Sequence, residues 1–523
     1  MIIRPEHKAV LLNLRNPELV TAVIPQAKVI KHKGKEITAV PHSMEVARVL
    51  NNMGIDIPSP IKYYYKWSGQ YTPFHAQEET AAFLTMNNRA FCLNDLGTGK
   101  TMSTLWAFDY LKQIGQAAKL LVVSPLSTLE RVWGDEVFRH FTHLSFGVLH
   151  GTKKRRLAML AEDFDVYIIN HDGIKVLEAE LTARTDIDSV VVDEIAQCAR
   201  NAGTEMWKAL RKVTKDKPRL WGLTGTPIPN APTDAWAQCK LVCPGSVPPY
   251  FTRFRETVMR QAGPYKWIAR EGALDIVDQA MQPSIRYHRS DCIDLPPVMY
   301  QTLQVALTKD QIRMYKDMVD NLAADHDGEQ VTAVNEAVKL MKLVQICCGT
   351  VYSLDGEVVI VPPKDRLNTL LQVVEDSSSK TIVFCPFTAA VELVGDFLID
   401  AGYTVGKVYG DVKKSERDEI FRGFQKSKDP QVIVAQPGAM SHGLTLTEAS
   451  TIAWYAPITS AEIYEQANGR ITRPGQKHSQ LIVNIEGSAV ERKMYERLKE
   501  KTTTQGLLPV SYTHLTLPTI YSV

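Results

Sequence analysis

Two series of short, β-branched segments, each alternating with longer helical patterns, constrain this chain more than any other feature. The first series is "RAFCLND", "KLLVVSP", "DVYIIN", "SVVVDE" and "RLWGLTGTP"; the second is "KTIVFCP", "YTVGKVYG", "QVIVAQP", "TIAWYAP" and "SQLIVNIEG". Near-continuous apolar runs of this kind suit parallel strands buried on both faces, and parallel strands need long crossovers, usually helical, between them. The pattern predicts two α/β domains in tandem, each a parallel sheet flanked by helices. Every run ends in a polar or glycine-containing turn, where a doubly wound sheet presents its ligand site.

The first 66 residues have a different rhythm. "LVTAVIP" and "AKVIKHKGKEITAVP" alternate apolar and polar residues, which predicts short strands. "SMEVARVLNNMGI" predicts a helix with Ser43 as N-cap, Glu45 in the first turn and Gly54 closing it, and "PSPIKYYYKWSG" reads as a linker. The domain organisation expected is a small accessory module over 1–66, a first α/β domain over 67–295, a second over 296–500 and a tail over 501–523. Residues 244–350, between the two strand series, read as largely helical. The stretch "VSYTHLTLPT" matches, codon by codon, a translation of the transposon-end adapter used in sequencing libraries, so 510–523 is expected to be an artefact that replaces the natural C-terminus.

A chain of 523 residues with 45% hydrophobic and 23% charged residues has the composition of a globular protein with substantial cores. With 60 basic against 58 acidic residues, composition alone predicts no polyanion-binding surface, though a groove can still concentrate positive potential. The eight cysteines (92, 198, 239, 243, 292, 347, 348 and 385) form no paired C-x-x-C knuckles and read as buried or idle thiols. No run reaches the roughly 18 apolar residues of a membrane span, and the N-terminus lacks a signal-peptide pattern, so a cytoplasmic location is expected.

Chemistry concentrates in three places. In "NDLGTGKT", residues 94–101, Gly97 and Gly99 let the backbone curl so that N–H groups converge on phosphate oxygens. Lys100 adds a point charge, the Thr101 hydroxyl can ligate magnesium, and the helical pattern that follows points its N-terminal dipole at the same anion. The general motif has glycine where this chain has Asn94, so an incidental glycine-rich turn stands as the alternative. In "SVVVDE", Asp193 and Glu194 close a buried strand, suited to holding a metal and polarising a water, or else forming an exposed acidic strand end. In "EQANGRITRPGQ", Arg470 and Arg473 are three residues apart and on a helix would share a face; they are either charge donors to a phosphoryl group or solvated arginines. The basic run Lys153, Lys154, Arg155 and Arg156 reads equally as a duplex contact or a solvated turn, and the tyrosines of "KYYYKW" as base-stacking or packing groups.

Taken in order, these segments resemble the Swi/Snf-type DNA translocases of helicase superfamily 2, over about residues 67–500. "DLGTGKT" resembles that family's "EMGLGKT", whose first position is commonly acidic or polar, which accounts for Asn94. The resemblance implies two RecA-like domains that use ATP and magnesium. It places Gln77 of "PFHAQ" on the adenine, Asp95, Gly97, Thr98, Gly99, Lys100 and Thr101 on the phosphates, and Thr101 and Asp193 on the metal. It gives Lys100, Asp193, Glu194, Arg470 and Arg473 catalytic roles, and places Gln466 and Gly469, beside the arginines, in nucleotide binding. Ser124, Thr128, Thr224, Thr226 of "LTGTPIPN" and Ser441 are implied in DNA contact or in coupling it to the nucleotide. "IDLPPVMYQTLQVALTKDQIRMY" is similar to the bridge into the second domain.

The function implied is ATP-driven movement along, or remodelling of, double-stranded or forked DNA. An RNA helicase on the same scaffold and a DNA-binding protein with a decayed ATP site are the alternatives. One position departs from the family: two residues after Glu194, where a histidine usually links the ATP site to the coupling motif, stands Ala196, with Gln197 next to it as an amide that could bridge instead. The lead-in "VPHSMEVARVLNNMGIDIPSPI" is similar to that of compact relatives of annealing helicases and of phage-encoded homologues.

Overall fold

The computed structural model describes residues 1–506 apart from 33–34, 264–265, 293–295, 322, 327–328, 333–335, 354–355, 441–444 and 474. Ser441 and the adapter-like segment 510–523 lie outside the described residues. Two compact units are present, Met1–Cys292 and Ile293–Gly506.

The first unit is built on a seven-stranded sheet ordered Ser284–Ile285, Arg89–Cys92, Arg219–Leu223, Ile187–Asp193, Lys119–Ser124, Val166–Asn170, Phe146–Leu149. Every pair in it is parallel. The triple valine of "SVVVDE" explains why the strand reads as continuously apolar. Val190 and Val192 join the core on one face of the sheet while Val191 joins the core on the other, as the two-residue period of a strand requires. Arg89–Cys92 comes first in the chain, yet its sheet neighbour toward the centre is Arg219–Leu223, and the strand next in sequence lies beyond Ile187–Asp193. That reversal opens a crevice at the carboxyl ends of the central strands.

The second unit repeats the plan with six parallel strands, Val298–Gln304, Gln480–Glu486, Ala449–Trp454, Lys380–Phe384, Val432–Ala435 and Val405–Val408. Apolar cores again cover both faces. The fold class expected from the two strand series is the one observed.

The N-terminal segment forms a four-stranded antiparallel sheet, Ile2–Arg4, Ala9–Leu12, Lys35–Pro41 and Lys28–His32, over a core that includes Val10, Leu12, Val40, Val46 and Leu50. The Met44–Asn52 helix starts as expected, with Ser43 Oγ accepting the Val46 N–H at 3.3 Å, and Gly54 takes φ of 81° just beyond its end. "LVTAVIP" is not a strand. It lies mostly in the helix Pro17–Val23, where Pro17 at the first helical position and Glu18 in the first turn override the alternation.

The region 244–350 is helical over Phe251–Val258, Ala273–Ala280, Lys309–Asn321 and Glu336–Cys348, as expected, but not throughout. It holds the antiparallel hairpin Met259–Gly263/Lys266–Ala269, the edge strand Ser284–Ile285 and the strand Val298–Gln304. Val298–Gln304 pairs in parallel with Gln480–Glu486, a partner nearly two hundred residues downstream that local periodicity cannot reveal. The linker tyrosines are used in packing. The Tyr65 hydroxyl donates to buried Asp109, Trp67 meets Trp106 edge-on at 5.4 Å, and the Trp106 indole donates to Ser68 O at 2.7 Å. Tyr63 remains exposed. Among the described residues, no helix is long and apolar enough to cross a membrane.

Candidate functional site

The phosphate loop runs from the Arg89–Cys92 strand to the Lys100–Gln113 helix. Gly97 and Gly99 adopt φ of 85° and 80°, a region open to glycine at little cost. Gly99 is fixed a second way: a Cβ there would fall 2.0 Å from Gln77 Nε2. Gln77 sits in the first turn of the His75–Met86 helix, where its Oε1 accepts the Phe74 N–H at 3.2 Å. The side chain expected to read the adenine edge therefore packs directly on the loop expected to hold the phosphates. Lys100 Nζ donates to Asn94 O at 2.8 Å and Asp95 O at 3.2 Å, which holds the ammonium over the loop. Thr98 Oγ1 closes the loop onto Asp95 O at 2.8 Å, and Thr101 is half-buried in the first helical turn.

Two loop residues face the edge strand. Asn94 is buried; its Nδ2 donates to Thr80 Oγ1 at 2.8 Å and its Oδ1 accepts the Tyr287 N–H at 2.9 Å. The Asp95 carboxylate accepts the Arg289 N–H at 3.1 Å and lies 3.3 Å from His288 Nδ1. Asp95, expected at the nucleotide, is thus engaged with the segment that follows Ser284–Ile285.

The acidic pair lies at the end of Ile187–Asp193, two strands from the loop across Arg219–Leu223. Asp193 Oδ2 accepts the Trp133 indole N–H at 2.9 Å and Oδ1 accepts the Glu194 N–H at 3.1 Å. Burial pushes the Asp193 carboxyl above its usual range, opposed by the Trp133 bond and by the positive charge of Lys100. Glu194 has φ of 48°, a left-handed conformation that strains a non-glycine residue and recurs at functional sites. Its Oε2 accepts the Thr224 hydroxyl at 3.3 Å, and Thr224 Oγ1 in turn accepts the Thr226 N–H at 3.1 Å. "LTGTPIPN" therefore touches the second carboxylate. Ala196 is fully buried; Gln197 is half-buried, and its N–H donates to Glu194 O at 2.8 Å.

The expected DNA-tracking hydroxyls are less open than the sequence suggested. Ser124 and Thr128 are both buried, and the Thr128 hydroxyl donates to Pro125 O at 2.9 Å. Ser124 Oγ finds no hydrogen-bond partner among the described residues. The basic run is split: Arg156 is buried and donates to Gly151 O, Leu149 O and Asn170 Oδ1, while Lys153 pairs with Glu180 at 3.4 Å.

In the second unit the helix Ala461–Asn468 stops before the arginines. Arg470 and Arg473 occupy the turn beyond it, not one helical face as their spacing suggested. Gly469 has poor helix propensity, and Pro474 disfavours the α conformation at Arg473. Arg470 is buried, and its carbonyl accepts the Leu446 N–H at 3.1 Å. Arg473 is half-buried, donating Nε to Gly469 O and an Nη to Thr445 Oγ1, both at 3.3 Å. Gln466 Nε2 meets Glu462 Oε1 at 3.4 Å. Gln476 pins the turn from beneath, donating to Ala449 O and Ile471 O and accepting from the Lys477 and His478 N–H groups.

Two residues of this neighbourhood escaped sequence reasoning. Trp133 lies in a π-helical turn, Leu129–Gly134, and His171 follows the Val166–Asn170 strand, its Nε2 2.8 Å from Asp193 O. Nothing in local pattern marks an indole for the carboxylate, or an imidazole for the backbone carbonyl, of an aspartate so far along the chain.

A left-handed glycine loop at a helix N-terminus, a lysine over it and a buried acidic pair at the end of a strand two places away in the same sheet define a phosphate-loop α/β protein. The chain belongs to the SNF2-related family: the SNF2-related domain matches residues 77–351, over half of its 523 residues, and the helicase conserved C-terminal domain matches 365–475. Its relatives include the ISWI chromatin-remodeling complex ATPase CHR11 of Arabidopsis thaliana, 25% identical over 79% of this chain and 40% of its own length. The putative ATP-dependent helicase/translocase YwqA of Bacillus subtilis is 24% identical over 80% of this chain and 46% of its length. Putative protein p41 of Acyrthosiphon pisum secondary endosymbiont phage 1 is 24% identical over 79% of this chain and 92% of its own. The chain spans about two fifths of the length of the first curated relatives it matches. Among solved structures, the Sulfolobus solfataricus SWI2/SNF2 ATPase core in complex with dsDNA aligns with a TM-score of 0.42 and 22% identity, over 84% of this chain and 93% of that one.

Proposed function

We propose that this chain hydrolyses ATP and uses the energy to move along, or remodel, double-stranded or forked DNA. The observation that carries the reading is the convergence of Lys100, Asp193, Glu194 and Thr224 from the carboxyl ends of three adjacent strands.

The residues present fit a magnesium nucleotide. The left-handed Gly97 and Gly99 shape a backbone cradle, and Asp193 is a buried carboxyl held above its usual range that a cation would satisfy. Asp193 and Thr101 would hold the magnesium, which supplies charge neutralisation on the transferring phosphoryl group. Lys100 and the loop N–H groups bind and orient the phosphates. Glu194 accepts a proton from the attacking water, and Thr224 steers that carboxylate. Gln77 selects adenine. Arg470 and Arg473 supply guanidinium charge, worth roughly 10³–10⁵ in rate when an arginine is placed on the developing phosphoryl charge. DNA engages the phosphate-tracking segments after the strands of each unit, and its grip alternates with nucleotide state.

The test is phosphate release measured with duplex, forked and single-stranded DNA and with RNA, each across a salt titration. The proposal expects duplex or forked DNA to stimulate most. It also expects a steep fall with salt, a log–log slope of about −0.9 per phosphate neutralised. Greater stimulation by RNA would transfer the function to RNA, and a flat salt response would remove the phosphate-tracking groove.

A further inference from the structure

Two residues after Glu194, at the position where the family resemblance implies a histidine, stands Ala196, whose methyl group is fully buried and carries no donor. Any tie between the acidic pair and its surroundings then runs through other groups, and the hydrogen bonds around Asp193 show one. His171 is joined to both sides of the Lys119–Ser124 strand. Its backbone N–H donates to Ser124 O at 3.1 Å, and its ring Nε2 reaches Asp193 O at 2.8 Å. A carbonyl oxygen only accepts, so Nε2 carries the proton. Val166–Asn170 and Ile187–Asp193 flank Lys119–Ser124 in the sheet, so His171 spans from one neighbour of that strand to the other.

The atom His171 holds is significant. The Asp193 carbonyl belongs to the same peptide plane as the Glu194 N–H, because the peptide unit is rigid. Rotation of that plane changes φ of Glu194, the residue strained at 48°. The same plane is held on its N–H side by Asp193 Oδ1 at 3.1 Å. Loss of the His171 donor frees the plane to rotate, which relaxes Glu194 toward ordinary backbone and carries its carboxylate away from Thr224.

We propose that His171 is a positioning residue that locks the Asp193–Glu194 peptide and transmits movement of the Ser124 turn to the Glu194 carboxylate, serving the linkage that Ala196 cannot. The inference rests on the proposed DNA-stimulated ATPase activity. Ser124 ends the strand whose following segment is expected to track DNA, so a shift of that turn pulls on His171 through its backbone and on the peptide through its ring.

The experiment compares wild type, His171→Leu and His171→Gln by turnover with and without saturating duplex DNA, by KM for ATP and by thermal melting. Leucine removes the donor and glutamine keeps an N–H donor on a side chain of similar reach. His171→Leu is expected to lose about 10–100-fold in DNA-stimulated kcat, the usual effect of deleting a group that orients a site ligand. KM for ATP should stay within about twofold, since the phosphate loop is untouched. His171→Gln should recover most of the stimulation. Unchanged stimulation in His171→Leu, with wild type responding to DNA, overturns this inference alone. Equal loss in both variants together with a lowered melting temperature also overturns it, because that pattern marks a packing role. A wild type that DNA does not stimulate overturns the proposed function, and this inference with it.

Discussion

Asn94 Oδ1 accepts the backbone N–H of Tyr287 at 2.9 Å, across 193 residues of sequence. The position where a general phosphate loop has glycine is therefore a structural tie. The same side chain donates to Thr80, so one buried amide joins the His75–Met86 helix, the loop and the segment following the edge strand Ser284–Ile285. Restoring the general motif should do harm. Asn94→Gly is expected to destabilise the chain by about 1–3 kcal/mol, because the Tyr287 N–H loses its acceptor in a buried site. A chemical denaturation series reads this directly, and a variant as stable as wild type would show that the tie is worth nothing.

The two arginines of the second unit should separate by stability. Arg473 is half-buried and its guanidinium bonds are long, whereas Arg470 is buried in the turn. Arg473→Ala is expected to reduce ATP turnover by about 10³-fold or more with little change in melting temperature. Arg470→Ala should reduce turnover and melting temperature together. If Arg473→Ala retains near-normal turnover, the arginine assignment fails for that residue.

Acid should weaken the N-terminal segment through His42. Its Nε2 donates to Pro58 O and its Nδ1 pairs with the Tyr64 hydroxyl, both at 2.9 Å, so the neutral ring uses both nitrogens. Lys8 stands over the Tyr64 ring at 5.9 Å. Burial lowers the His42 pKa, against a smaller upward pull from the Pro58 carbonyl. The unfolded chain then binds the proton more readily than the native chain. The stability this site contributes is whole above the unfolded value of about 6.5 and is lost as pH falls through it. Melting temperature measured from pH 7.5 to 5 should fall more steeply for wild type than for His42→Gln; parallel curves would contradict the assignment.

Much of this architecture was legible because the decisive signals are local. Alternate burial of Val190, Val191 and Val192 leaves an unbroken apolar run, and a run of that kind marks a parallel strand wherever it occurs. Lys100, Gly99 and the acidic pair advertise themselves by spacing. What was not legible depends on distant partners or on local competition. Val298–Gln304 is a strand because Gln480–Glu486 lies beside it. The Pro17–Val23 segment alternates like a strand but is captured by its proline start. The Arg470–Arg473 spacing suits a helix that Gly469 has already ended. Trp133 and His171 matter only because the sheet order brings their segments to Asp193.

The central claim is that Lys100 and Glu194 serve DNA-stimulated hydrolysis of ATP. It is tested most directly by phosphate release with saturating duplex DNA, comparing wild type with Lys100→Ala and Glu194→Gln. Wild type should turn over and respond to DNA, and Glu194→Gln should fall about 10²–10⁴-fold with ATP binding retained, as loss of a general base predicts. Lys100→Ala should lose nucleotide binding as well. Phosphate release that is absent from wild type, or that survives Glu194→Gln undiminished, would contradict the account.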